Sequence, residues 1–396
     1  MREEPGMVMR RLVIMAGLAA LVFGTLQGCD SGPREGAVVG RSERGVPQTI
    51  RPGEIWPDDR GQHIQAHGGG ILRLADSVVM ANGAEGEFTY FWFGEERGQA
   101  LPRDQRAVSC YSSKDLVHWT FRKDAFTASG AEIPVLERPK VFYNAKTKKF
   151  VMYVHYDDAN YRLAEVGVAT SDKVDGPYTL LKHFRPLNHE SRDIGQFIDD
   201  DGTAYLIFED RPNGWHIAKL SDDYLNVEKD VCLIKMAMEG GAMVHYNGLY
   251  YAIGSRLTGW NPNPNQYATA QSLEGPWSTF KDIAPRQTNT YGSQSTMMLK
   301  VVGTKATTVI FMGDIWKPAT QWDSRYLWMP LEIGEGNLRL PEPREWTLDI
   351  TTGEAVVNQK APAMTLPARG GGRGRGQSAT MSGSGSAGGT ASATRP

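Results

Sequence analysis

Cysteine is scarce in this chain: Cys29, Cys110 and Cys232 are the three among 396 residues. No Cys-X-X-Cys pair exists, so neither a zinc ribbon nor a thioredoxin-like redox motif is present. With Cys29 set aside, two isolated thiols remain, and burial without a partner is the expected state of both. Sustained helical periodicity is rare as well, which argues against a helical bundle. Charge is nearly balanced, 43 basic against 45 acidic side chains, for a net of −2. A nucleic-acid binder would carry a basic stripe. The central region has none, so no nucleic-acid partner is expected.

There is one long apolar run, residues 12–26, and it is short for a membrane-spanning helix. Arg10 and Arg11 precede it, as in the basic start of an export signal. The run closes on Leu26-Gln27-Gly28-Cys29, which resembles the lipobox of bacterial lipoproteins. That resemblance implies cleavage before Cys29 and acylation of its thiol; the plainer alternative is an ordinary signal beside a chance cysteine. Residues 1–29 are therefore expected to be a lipoprotein signal peptide. The protein would be exported and lipid-anchored, facing the periplasm or the cell surface, with no other membrane contact. Residues 30–49, rich in Gly, Arg and Ser, read as a flexible tether. Residues 367–396 contain almost no hydrophobes beyond alanine and read as a disordered tail.

Aromatic residues are plentiful between these ends, with 10 Trp and 15 Tyr in the chain. Five apolar, aromatic runs stand out: Phe88-Thr89-Tyr90-Phe91-Trp92-Phe93-Gly94-Glu95, Phe150-Val151-Met152-Tyr153-Val154-His155-Tyr156, Ala204-Tyr205-Leu206-Ile207-Phe208-Glu209, Tyr250-Tyr251-Ala252-Ile253-Gly254-Ser255, and Val309-Ile310-Phe311-Met312-Gly313-Asp314. They recur roughly 50 residues apart, about the length of a four-stranded propeller blade. Turn signals such as Asp201-Gly202 and Asn247-Gly248 precede some of them. A further strand-like element follows each run. Five copies predict an all-β fold, a five-bladed β-propeller over residues 50–366, and a monomer.

Upstream of each aromatic run lies a segment that starts polar and turns apolar: His67-Gly68-Gly69-Gly70-Ile71, Glu137-Arg138-Pro139-Lys140-Val141, Arg192-Asp193-Ile194-Gly195-Gln196-Phe197, Glu239-Gly240-Gly241-Ala242-Met243, and Ser293-Gln294-Ser295-Thr296-Met297. As innermost strands, these would bring one polar side chain per blade to a common mouth. Three of the five are carboxylic acids, a costly arrangement that points to chemistry.

With Trp92-Phe93-Gly94-Glu95, Leu257-Thr258-Gly259-Trp260 and Met312-Gly313-Asp314 added, the chain from about residue 65 to 331 resembles glycoside hydrolase family 43, and within it the exo-β-1,3-galactanase branch. The resemblance implies an inverting hydrolase that releases galactose from the β-1,3-galactan of arabinogalactan. An oligo- or polysaccharide is the partner, and neither a metal nor another cofactor is expected. Glu239 would be the general acid, with Gly240 and Gly241 leaving room for a sugar. Asp193 would keep that acid protonated by its nearby charge. The alternatives are a surface Glu in a loop and an Asp paired with Arg192.

The family's first-blade Asp base is missing here. The branch resemblance gives Gln294 the water-holding role, Glu137 is the second candidate for activating water, and His67 the third, although a buried structural His is the better reading of His67. Glu95 (ambiguous with Glu96), Arg138, Tyr161, Asn213 and Trp260 match sugar contacts. Asp199-Asp200-Asp201-Gly202 reads as a charged hairpin turn rather than a calcium loop, since it lacks EF-hand spacing. Two other functions remain open: an arabinofuranosidase or xylosidase of the same family, and a non-catalytic glycan-binding propeller.

Overall fold

A computed structural model of the chain describes residues 48–79, 86–129 and 134–366. The signal peptide with Cys29, most of the tether and the tail 367–396 lie outside the described residues. The tether ends earlier than the sequence suggests. Gln48 and Thr49 pair with Leu348 and Thr347 in a small three-stranded sheet built from both ends of the described chain. Their apolar neighbour Ile50, opposite Trp346, draws them in: both side chains are buried in one core cluster.

The chain is all-β, dominated by five consecutive antiparallel sheets. The first four have four strands each and the fifth has three. The first strands of four of them are His67–Ala75, Val135–Asn144, Met238–Tyr246 and Gln294–Val302, and that of the third sheet is Ile194–Ile198, directly after Asp193. The aromatic runs are the second strands: Phe88–Glu95, Lys149–Asp157, Ala204–Asp210, Leu249–Arg256 and Thr307–Ile315. Each is nearly buried from end to end, which explains why the runs show no polar alternation: both faces of the sheet are covered.

Packing between sheets is sequential. Phe91, Phe93 and Cys110 of the first sheet meet Val141, Met152 and Val154 of the second. Tyr153 of the second meets Leu206 and Phe208 of the third, and Ile207 and Trp215 of the third meet Met243 and Ala252 of the fourth. The largest cluster joins the fourth, fifth and first sheets. In it Trp92 lies 4.7 Å from both Tyr326 and Trp328, ring centroid to centroid. Cutting a fully buried Trp such as Trp92 back to Ala costs about 3–5 kcal/mol. Cys110 is buried and Cys232 half-buried, and neither is paired.

Candidate active site

A backbone device repeated in the sheets builds the site. In four first strands the pairing register slips just beyond the leading polar residue: between His67 and Gly70, Glu137 and Lys140, Glu239 and Ala242, and Ser295 and Met297. Such bulges bend a strand and re-aim its side chains. In three of them the next residue is left-handed: Gly68 at φ 59°, Arg138 at φ 53° and Gly240 at φ 63°. Arg138 is not glycine, so its conformation costs energy that the surroundings must hold in place.

Each leading residue faces a polar residue at the end of the aromatic strand. The pairs are His67 with Glu95, Glu137 with His155, Glu239 with Ser255, and Gln294 with Asp314. In the third sheet the Glu209 backbone N–H donates to the Asp193 carbonyl at 3.0 Å, which makes the fifth pair.

Arg138 ties these groups together and is buried. Its Nη2 lies 2.9 Å from Asp193 Oδ2 and also donates to Gln294 Oε1. Nη1 reaches the Ser295 carbonyl at 3.0 Å, and the backbone N–H donates to Glu95 Oε1 at 3.0 Å. Gln294 is fully engaged. Its Nε2 donates to Glu239 Oε1 and Ser255 Oγ, each at 3.0 Å, while its Oε1 also accepts from Trp316 Nε1 at 3.0 Å.

Glu239 is 5 % exposed, a buried acid rather than a loop residue at the surface. Burial first, then the charges of Asp193 and Glu209, raise its pKa from 4.5 to about 9, against the opposing pull of Arg138 and Arg211. Asp193 pairs with Arg138, not with Arg192, and accepts the Gly240 N–H at 3.0 Å. Arg192 instead faces Glu190 and Asp157.

Glu137 behaves oppositely. Burial resists its ionisation, but His155 at 3.3 Å, together with Arg97 and Tyr161, holds the carboxyl down to about 2. Tyr161 Oη donates to Glu137 at 2.8 Å, and Arg97 bridges Glu137 and Glu95. Glu95 is thus the acid inside the cluster, while Glu96 bonds Ser109 Oγ at 2.9 Å on the neighbouring strand. A buried carboxyl that keeps its proton, in the same network as Glu137, whose carboxyl is held ionised, is an arrangement suited to acid catalysis on a glycosidic bond.

The profile of glycosyl hydrolases family 43 matches residues 74–312. The chain belongs to this family. It is therefore a glycoside hydrolase. Among solved structures, the exo-β-1,3-galactanase of Phanerochaete chrysosporium with β-1,3-galactotriose is 38% identical; the match covers 78% of this chain and 71% of that one, with a TM-score of 0.71. The exo-β-1,3-galactanase of Clostridium thermocellum is 33% identical, covering 78% of this chain and 68% of that one, with a TM-score of 0.69. No curated protein sequence matches at a significant level.

Within this family 43 site, the expected residues fall into groups. Glu239, Asp193, Gln294, Glu137, Glu95, Arg138 and Tyr161 form one connected network. Trp260, 39 % exposed, stands edge-on to Trp316 at 5.1 Å and lines a pocket with Gln294 and Trp316. His67 is fully buried, stacked 5.0 Å from Tyr326, with Nδ1 3.2 Å from Asp314 rather than on backbone. Asn213 does not join the network; its Nδ2 donates to Asp210 at 2.7 Å.

Gly240 and Gly241 are also required by packing, on the side where a side chain would point. A Cβ on Gly240 would lie 2.8 Å from the Ser295 carbonyl, and one on Gly241 would lie 2.4 Å from the Trp215 ring. Sequence reasoning missed Arg97, His155, Glu209, Arg211, Ser255, Asp314 and Trp316. The signal was present: the aromatic runs end on Glu95, Glu209, Ser255 and Asp314 or one residue past His155, and Arg97, Arg211 and Trp316 follow two residues after Glu95, Glu209 and Asp314, just beyond the strand ends.

Proposed function

We propose that this chain is an inverting, exo-acting hydrolase that releases galactose from β-1,3-galactan, with Glu239 as general acid. The observation that carries the reading is the buried Glu239 carboxyl, kept protonated beside Asp193 and Glu209 in a chain whose relatives are exo-β-1,3-galactanases. Glu239 hands its proton to the leaving oxygen as the glycosidic bond breaks and the sugar gains oxocarbenium character. Asp193 keeps the proton on Glu239 and fixes Arg138. Glu137, held to a low pKa, is a weak base and reads better as an acceptor for sugar hydroxyls, with Arg97 and Tyr161 beside it. Gln294 positions the attacking water, and Trp260 offers a ring face to the apolar side of a galactose.

The five sheets read best as the blades of a closed five-bladed propeller. Contact of the fifth sheet's first strand with that of the first sheet supports this closure. Lipid anchorage through Cys29, with the site facing the periplasm or cell exterior, is the matching reading of the N-terminus.

The test is hydrolysis of β-1,3-galactan, arabinan and xylan by the wild-type protein and by Glu239→Gln. Galactose released from the first substrate alone, with the variant slowed about 10²–10⁴-fold, is expected. Arabinose or xylose release alone would overturn the galactan assignment. Equal binding of glycan by both proteins, with hydrolysis by neither, would leave a glycan-binding propeller.

A further inference from the structure

A second group of ligating side chains includes Asp210, the residue after Glu209. His189, Asp210 and His216 converge within the described residues. Asp210 closes the second strand of the third sheet, His216 is the third residue of the third strand, Gly214–Leu220, and His189 follows a short 3-10 turn whose Leu187 and Asn188 are left-handed. Asp210 and His216 are buried, while His189 is partly open to solvent at 35 %.

The polar bookkeeping of this group is odd without an ion. Asp210 Oδ2 faces three donors: His189 Nδ1 at 2.8 Å, His216 Nε2 at 3.3 Å and Asn213 Nδ2 at 2.7 Å. The other oxygen, Oδ1, is buried with no partner among the described residues. His216 has Asp210 at Nε2 and Asp230 Oδ2 at 3.0 Å from Nδ1. A neutral ring has one N–H and can donate to only one of these two carboxylates. A metal ion on Nε2 would take the place of the second donor contact. The neutral ring then donates Nδ1–H to Asp230, the carboxylate–histidine–metal arrangement that fixes tautomer and ring orientation.

We propose that His189 Nδ1, Asp210 and His216 Nε2 bind a divalent transition-metal ion of the zinc class, with Asp230 orienting His216 from behind. Two imidazoles with one carboxylate suit zinc-class ions and not calcium or magnesium, which take oxygen ligands. Bonds of about 2.0–2.2 Å in a tetrahedral site set ligand atoms roughly 3.3 Å apart. The observed 2.8 and 3.3 Å separations need little adjustment. The ion would clamp the hairpin that carries Glu209 and Arg211, the two residues flanking Asp210, which lean on Glu239. No metal is expected from the sequence, because the three ligands are scattered along the chain without metal-motif spacing. The other His–carboxylate group, Asp199, Asp200 and His245, is different: Lys300 already sits 2.8 Å from Asp200.

The experiment is a Zn²⁺ titration of the purified, chelator-stripped full chain by calorimetry, with thermal unfolding followed in parallel and Co²⁺ absorption as a geometry probe. One equivalent bound, a raised Tm and tetrahedral Co²⁺ bands are expected in the wild type. His189→Ala, at a partly exposed position that tolerates truncation, should lose the equivalent. Asp230→Asn should weaken binding about 10–100-fold. The proposal is overturned if the wild type binds no stoichiometric Zn²⁺. It is equally overturned if His189→Ala binds as the wild type does, or if binding disappears in His245→Ala instead.

Discussion

The amide nitrogen of Gln294 donates to Oε1 of Glu239 across 3.0 Å, so the two residues expected to act on opposite faces of a sugar touch each other. Inverting sites keep their two groups about 6.5–9.5 Å apart to admit water. Substrate and water must therefore enter by displacing this contact, and the donor character of Gln294 matters. Gln294→Glu would supply a base on paper, yet it loses the donor and sets a second carboxylate against Glu239. A fall in kcat of about 10²-fold is expected in single-turnover hydrolysis of galactan; a rate at or above wild type would rule out the positioning role.

Activity should fall as pH rises through the pKa of Glu239, because only the protonated form can donate. Asp193 is the largest charge raising that pKa after burial itself. Asp193→Asn should thus move the basic limb of the kcat/KM profile to lower pH, and Glu209→Gln should do so more weakly. A basic limb that stays in place in both variants would contradict this electrostatic account.

The array Glu137–His155–Asp157 gives stability its own pH window. Glu137 is held from 4.5 down to about 2, so its contribution is present above 4.5 and is lost as pH falls through 2. His155 is pushed from 6.5 up to about 9: burial opposes the shift, but Asp157 and Glu137 outweigh it. Its contribution is full below 6.5 and is lost as pH rises through 9. Tm measured against pH should show this stabilisation at its fullest between about 4.5 and 6.5. In His155→Gln the dependence should flatten on both sides.

Gly240→Ala should be costly although it adds one methyl. The residue is at φ 63°, and the new Cβ would stand 2.8 Å from the Ser295 carbonyl. Strain of about 1–3 kcal/mol is expected in denaturant unfolding, together with a larger loss of kcat, since Gly240 N–H also holds Asp193.

Trp260→Ala should raise KM about fivefold with kcat little changed, because an exposed ring supplies uniform binding of roughly 1 kcal/mol. A matching drop in kcat would mean that Trp260 acts through Trp316 and Gln294 instead.

Cys29→Ser should release the protein from membranes while leaving galactan hydrolysis intact, as read by cell fractionation and labelling with a radioactive fatty acid. A wild-type protein that is wholly soluble and unlabelled would make Cys29 a chance residue.

The sequence by itself determined the repeat: five aromatic strands, the polar residue that opens each preceding strand, and hence the candidates Glu239, Asp193, Gln294 and Glu137. Those features are local, since strand burial and turn chemistry are written in neighbouring residues. Tertiary structure decided who faces whom. Arg138, one residue in sequence from Glu137, turns at a left-handed bulge to bind Asp193 and Gln294 from other sheets. Asp193 thereby takes a partner other than Arg192. The same holds for Glu239 and Glu137, two glutamates at equivalent positions of the repeat. One is pushed up by burial, Asp193 and Glu209, and the other is held down, against burial, by His155 and Arg97. Charge–charge energies depend on distance and burial in space, and the chain sets those only after it has folded.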